Sequence, residues 1–354
     1  MLNPKIKRSH LGLLMLLIAV APITIKARQS GDTKSNSTGY HLLRKIEIGG
    51  EGGWDYVTVD SDMRRVYVSH ATRVVVLDAD KGTVVGEIPN TNGVHGIAIV
   101  PELGRGFTSN GRDATATIFD LKTLKVIGQA KTGKNPDAII YDPVSRRVFA
   151  FNGTSHDATV IDAASGEVAG TIELGGKPEF AAADGKGMVY VNIEDKSEVV
   201  AIDSRNLKVK AHWPLAPGEE PSGMAMDRKH RRLFIVCANK KMIVMDPDGG
   251  RVVTSLPIGG GVDAAAFDPE TKLVFSSNGE GTLTVVRQES ADKYSVVENA
   301  PTQRGARTMA LDPKTHNLYL PTAQFGPPPA PTPERPRPRP SIVPGSFTLL
   351  VFGK

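Results

Sequence analysis

An all-β, seven-bladed β-propeller is the fold this sequence predicts, and three observations predict it. Aspartates that close one class of alternating apolar run, Asp78, Asp120, Asp162, Asp203 and Asp246, lie 42, 42, 41 and 43 residues apart. Aspartates that close a second class, Asp60, Asp142, Asp184, Asp227, Asp268 and Asp312, keep the same beat, with Val100 standing in once. Each period holds four short β-type runs, and a period of 40 to 45 residues built that way is the mark of a propeller blade.

The unit that ends near residue 176 shows the pattern in full. PDAIIYDP (136–143) is the first run, RRVFAFN (146–152) the second, and DATVIDAASGEVAGTIELGG (157–176) supplies the third and fourth. HLLRKIEIGG (41–50) has no first, second or third run before it, and it matches the fourth run of other units. The C-terminal unit has the opposite deficit: ARTMALDP (306–313), HNLYLPT (316–322) and SFTLLVF (346–352) are three runs with no fourth. The N-terminal run is therefore expected to complete the last blade as its outer strand, which closes the ring and removes an exposed edge.

The boundaries follow. Residues 1–27 read as a signal peptide: Lys5, Lys7 and Arg8 precede the apolar stretch Leu11–Ala21, with a small-residue cleavage position near Ala27. The alternative is an uncleaved segment that anchors the chain in a membrane, and no other stretch is apolar enough to span one. Residues 28–38 (RQSGDTKSNST) are polar and read as a disordered linker, and 39–354 form the propeller. Residues 325–345 (FGPPPAPTPERPRPRPSIVPG) interrupt the last blade between its second and third runs. This stretch is prone to polyproline II, and it reads as a solvated insert, a lid over one face or a docking strip.

Composition narrows the function classes. Loss of Lys5, Lys7, Arg8 and Lys26 with the signal lowers the formal charge from +5 to +1. The globular body is thus near neutral and argues against nucleic acid as a partner. Cys237 has no second cysteine to pair with and reads as a small buried hydrophobe. There is no C-x-x-C-H for haem, no G-x-x-x-x-G-K-[ST] for nucleotide phosphates and no G-x-S-x-G elbow. His156-Asp157 reads as an exposed pair on a loop, and Trp54-Asp55 falls in a first run rather than where a Trp-Asp signature would close a later one.

The second runs, YVSH (67–70), FTSN (107–110), FAFN (149–152), YVNI (190–193), FIVC (234–237), FSSN (275–278) and YLPT (319–322), resemble the YVTN-repeat propellers, including secreted YncE-like proteins. The resemblance covers residues 40–354 and implies a scaffold rather than a chemistry, because the motif residues are structural.

The innermost strands of a propeller line its channel. Five residues before the first-run aspartate (or Val100) stand Asp55, His95, Asp137, Glu179, Ser222, Asp263 and Arg307. Each blade thus offers one polar residue to the same funnel mouth. Such a ring suits a divalent cation, an array of hydroxyls or a charged small molecule. Polar residues at a turn-to-strand junction also cap turns or hydrate a channel, and that reading stays open. His70, Asn110, Asn152 and Asn278 are expected as a second polar tier on the same face or as turn residues. Two functions are compatible: a non-catalytic monomer outside the cytoplasm that binds a small molecule or protein through its funnel face, and a metal-assisted hydrolase resembling the lactonase and gluconolactonase propellers. In the second, Asp55, Asp137, Glu179 and Asp263 would hold the cation.

Overall fold

The computed structural model describes residues 38–332, 338 and 340–354, and these build seven four-stranded antiparallel sheets. The segments expected as a signal peptide and linker, through residue 37, and the middle of the proline insert lie outside the described residues. In blade 1 the strands run Trp54–Asp60, Arg65–His70, Arg73–Asp78 and Val84–Ile88, innermost to outermost. Blades 2 to 6 repeat this order from inner strands Val94–Val100, Pro136–Asp142, Pro178–Ala183, Pro221–Asp227 and Val262–Asp268. Blade 7 joins both ends of the chain. Its inner strands are Ala310–Leu311, Leu318–Thr322 and Thr348–Gly353, and His41–Glu47 pairs antiparallel with the last of these as the outer strand. The ring therefore closes as the unequal ends of the repeat require. Among the described residues no helix is long and apolar enough to cross a membrane.

Burial follows strand position. The second strands, such as Arg65–His70 and Leu273–Asn278, are buried on both faces because a neighbouring blade lies against each. Their aromatic residues, Tyr67, Phe107, Phe149, Tyr190, Phe234, Phe275 and Tyr319, are at most 1% exposed and fill the spaces between blades. The outer strands alternate between exposed and covered positions, as a half-solvated edge does. Near the axis the blades come together so closely that a Cβ on Gly223 would meet the Ala264 backbone at 2.6 Å. Cys237 is fully buried and free.

The repeating aspartates are structural. Asp60 accepts from the amides of Asp62 and Met63 at 3.0 and 2.9 Å, and Asp268 and Asp312 accept in the same way from Glu270 and Lys314. These Asx turns reverse the chain between the first and second strands. Where Val100 breaks the beat, a 3₁₀ turn over Pro101–Leu103, ended by Gly104 at φ 61°, makes the reversal instead. On this same side of the ring, side chains tie one blade to the next. Arg64 reaches Asp312 at 2.6 Å, Arg231 reaches Asp184 at 3.2 Å and His316 reaches Asp268 at 2.8 Å.

Three expectations need correction. His70, Asn110, Asn152 and Asn278 do not form a tier on the funnel, because all four are fully buried. Asn110 donates to Thr115 and Thr117 at 3.1 and 2.8 Å, Asn278 to Thr282 and Thr284 at 2.9 and 3.0 Å, so they join second to third strands. His70 stacks on Phe347 with ring centroids 4.2 Å apart. Asp157 is buried rather than exposed, accepting from Asn152 at 2.5 Å, while His156 beside it stays in solvent. The first run of blade 7 is a strand only at Ala310–Leu311. Pro321 on its neighbour brings no N–H to lengthen the ladder there.

Candidate functional site at the funnel mouth

The seven ring residues line one cavity of about 370 Å³ at the mouth of the channel. The backbone explains how they get there. In blades 1 to 6 the pairing of inner with second strand slips by one residue at the ring position: between Trp54 and Val57, Val94 and Ile97, Pro136 and Ile139, Pro178 and Ala181, Pro221 and Met224, and Val262 and Ala264. A bulge of this kind turns a side chain out of the regular alternation, here toward the axis. Neighbouring side chains fix the bulges. Ser69 accepts from the Asp55 amide at 3.0 Å and Ser109 from the Gly96 amide at 2.8 Å. Each of four ring carbonyls accepts from the preceding blade: Asp55 from Thr308, Asp137 from Ser109, Ser222 from Asn192 and Arg307 from Ser277.

The ring divides into three charge clusters. In the first, His95 Nδ1 lies 2.6 Å from Asp55 and 3.8 Å from Asp137. In the second, Arg307 bonds Asp263 and also reaches Asp55 at 3.3 Å. In the third, Lys177 bridges Glu179, at 2.7 Å, and Glu194. Ser222 donates to the Val262 carbonyl at 3.2 Å and completes the circle.

Next to the ring residues, aromatic side chains enter the channel. Tyr56 of blade 1 and Phe180 of blade 4 stack across it, with centroids 4.7 Å apart and planes 24° from parallel. The cavity is thus a cup with an aromatic floor and a charged wall.

Burial and crowding set the protonation states. Burial lowers the affinity of His95 for a proton, but the hydrogen bond to Asp55 and the charges of Asp137, Asp55 and Glu179 outweigh it and raise its pKa to about 9. Burial raises Asp137 to about 6, with the charge of His95 restraining it and that of Asp55 adding to the rise. Glu179 rises to about 8, through burial and then the charge of Asp137, against the opposing bond from Lys177. Asp263 rises to about 7 through burial, with Arg307 holding it down. The Tyr56 phenol is pushed well above its ordinary value by burial and then by Asp137, Asp55, Glu179 and Asp263, so it stays neutral.

The four carboxylates expected to share a cation line the one cavity but do not form a set within 4.8 Å of one another. Arg307 bonds Asp263 and reaches Asp55, and Lys177 bonds Glu179, so cations of the protein compete for three of the four. Among the described residues, the set whose ligand atoms all lie within 4.8 Å of one another is Asp55, His95 and Asp137.

Several lining residues fall outside the ring expected from the sequence: Tyr56, Lys177, Glu194 and Glu220. A repeat-level signal for two of them existed. Seven residues before the first-run aspartate (or Val100) stand Gly53, Gly93, Asn135, Lys177, Glu220, Gly261 and Gly305, and the two charged members are the ones that enter the cavity. Glu194 sits in a 3₁₀ turn that follows its second strand, at a position held by Ala or Gly in the other blades.

Comparison with known proteins confirms the scaffold. No protein-family model matches the chain, and no curated protein matches it. Among solved structures the chain is similar to a hydrazine synthase of Kuenenia stuttgartiensis, at 17% identity and a TM-score of 0.67, over 76% of this chain and 92% of that one. It is also similar to a chain of the mitotic checkpoint complex, at 14% identity and a TM-score of 0.71, over 97% and 99%. At these identities the likeness is one of fold.

Proposed function

We propose that this chain is an extracytoplasmic propeller of the YVTN-repeat, YncE-like kind whose funnel cup binds a small hydrophilic ligand. The observation that carries the reading is the convergence of one polar residue from each of seven blades on a single cavity with an aromatic floor. The cup's carboxylates, Asp55, Asp137, Glu179, Glu194, Glu220 and Asp263, outnumber its cations, His95, Lys177 and Arg307. Acceptors are therefore in surplus, and the ligand class they suit carries hydroxyl or ammonium donors. Support for the location is the basic and apolar N-terminal segment, and support for the family is the aromatic-led second run of every blade.

The test is thermal unfolding of the protein against fractionated small-molecule extract. A ligand that binds only the native state at a hundredfold its Kd adds about 2.7 kcal/mol, enough to raise the melting temperature by several degrees. The wild type should respond and Asp137→Asn combined with Arg307→Gln should not. An identical response in both proteins would remove the funnel from consideration.

A second reading rests on Asp55, His95 and Asp137. Their spacing suits a divalent cation that would polarise a carbonyl or activate water in a lactone-type hydrolysis. Binding it would require His95 to lose its proton and Asp55 to release Arg307. Metal analysis of the purified chain, and a fall in melting temperature with EDTA that Asp137→Asn abolishes, would favour this reading over the first.

A further inference from the structure

The funnel wall is uneven, and Arg307 lines both the cup and a second cavity. At the repeat position that supplies Lys177 and Glu220 to the cup, blades 6, 7 and 1 carry Gly261, Gly305 and Gly53. These glycines, with Gly279, floor a cleft of about 470 Å³. Trp54 forms part of its wall, and Phe325, Pro340 and Ile342 of the proline insert cover it. The ends of the insert are held in place: Phe325 and Ile342 form a β-bridge, and the Gly326 amide donates to the Ser341 carbonyl at 2.8 Å. Trp54 and Phe325 stand with ring centroids 6.0 Å apart, and Phe347 backs Trp54 at 5.4 Å.

Two guanidinium groups complete the cleft, those of Arg304 and Arg307. Arg307 is committed to Asp263 and Asp55 in the cup. Arg304 is exposed and, among the described residues, makes no ion pair. The chemistry is thus the reverse of the cup's: aromatic and aliphatic walls, a floor of glycines, and a guanidinium that pairs with no carboxylate among the described residues.

We propose that this cleft is a second binding site, distinct from the cup, for a flat aromatic group bearing an anionic substituent. The group packs on the cleft-facing edges of Trp54, Phe325 and Ile342, and the anion pairs with Arg304. The glycines also let the cleft's own elements close up: on Gly279 a Cβ would meet the Gly261 carbonyl at 2.8 Å, and on Gly305 it would meet the Phe325 ring at 2.5 Å.

The probe for the test is 8-anilinonaphthalene-1-sulfonate, an anion with a planar naphthalene ring whose fluorescence rises in apolar surroundings. The chain has two tryptophans, Trp54 in the cleft and Trp213 in the outer strand of blade 4, so energy transfer reports where the probe sits. Saturable binding of one probe per chain is expected. Transfer should be largely lost in Trp54→Phe and retained in Trp213→Phe, and Arg304→Gln should weaken binding about tenfold. Retained transfer in Trp54→Phe, or unchanged affinity in a folded Arg304→Gln protein, would overturn the assignment. Absence of saturable binding to the wild type would do the same.

Discussion

His95 of blade 2 and Asp55 of blade 1 meet across a blade boundary, imidazole Nδ1 to carboxylate oxygen at 2.6 Å. They are 40 residues apart and occupy the same position of successive repeats, one basic and one acidic. The protein thus uses a departure from its own repeat to fasten two blades at the rim of the cup. Since the bond to Asp55 and the charges of Asp137, Asp55 and Glu179 outweigh burial and raise the His95 pKa to about 9, the ring should be cationic there at neutral pH. NMR titration of the imidazole should give a value above 8, and Asp55→Asn should lower it by more than one unit. A value near the ordinary 6.5 would mean that the pair does not form.

Stability should fall as pH rises through the neutral range. A group whose pKa is raised on folding stabilises the native state below its unfolded value and stops doing so above its folded value. His95, with about 9 against 6.5, loses its contribution between those limits. Glu179, with about 8 against 4.5, and Asp263, with about 7 against 3.8, act in the same direction because their buried carboxyls resist ionisation. The melting temperature is therefore expected to decline from pH 5 to pH 9, and Glu179→Gln should flatten the decline most between pH 5 and pH 8. A melting temperature that rose over this range would contradict the ring's electrostatics.

Arg307→Gln should destabilise the fold by about 1–2 kcal/mol. It leaves Asp263 in the ring without its cation, and the solvent exposure of Arg307 keeps the loss below the 3–5 kcal/mol of a fully buried pair. Arg307→Gln/Asp263→Asn should recover part of this, since neither member is then an unpaired charge. Urea unfolding of the two variants measures the difference.

Asp312 is fully buried and fixes a turn through Lys314 and Thr315 while receiving Ser61 and Arg64 from blade 1. Asp312→Ala removes all four bonds at the junction that closes the ring, and is expected to cost about 3–5 kcal/mol. Asp120→Ala, which disturbs only the turn around Thr123, should cost much less. Equal losses would show that the Asx turns, and not the ties between blades, dominate.

Ile46→Ala tests the closure itself. Ile46 is 9% exposed, faces Leu349 across the outer pair of blade 7 and packs with Phe347 and Val351. A loss of about 2–4 kcal/mol is expected from the cavity. Deletion of residues 38–47 should go further, leaving a bare strand edge and a protein that self-associates, as light scattering would show.

The sequence by itself determined the scaffold of this protein. Blade count, strand order, the closing role of His41–Glu47 and the turn-forming aspartates all follow from a periodic pattern, because each strand's burial depends on local alternation that every blade repeats. It also determined which position of each repeat faces the axis, since a fixed offset from a turn is local information. Tertiary structure alone decided which of those seven residues pair. His95 chooses Asp55, Arg307 chooses Asp263, and Glu179 is taken by Lys177, because side-chain length and the distance across the channel set the partners. It decided that Tyr56 and Phe180 close the cup from blades 1 and 4, a contact across the ring that no sequence spacing encodes. It also decided that the asparagines of the second strands turn inward, because middle strands here have no solvent face to offer them.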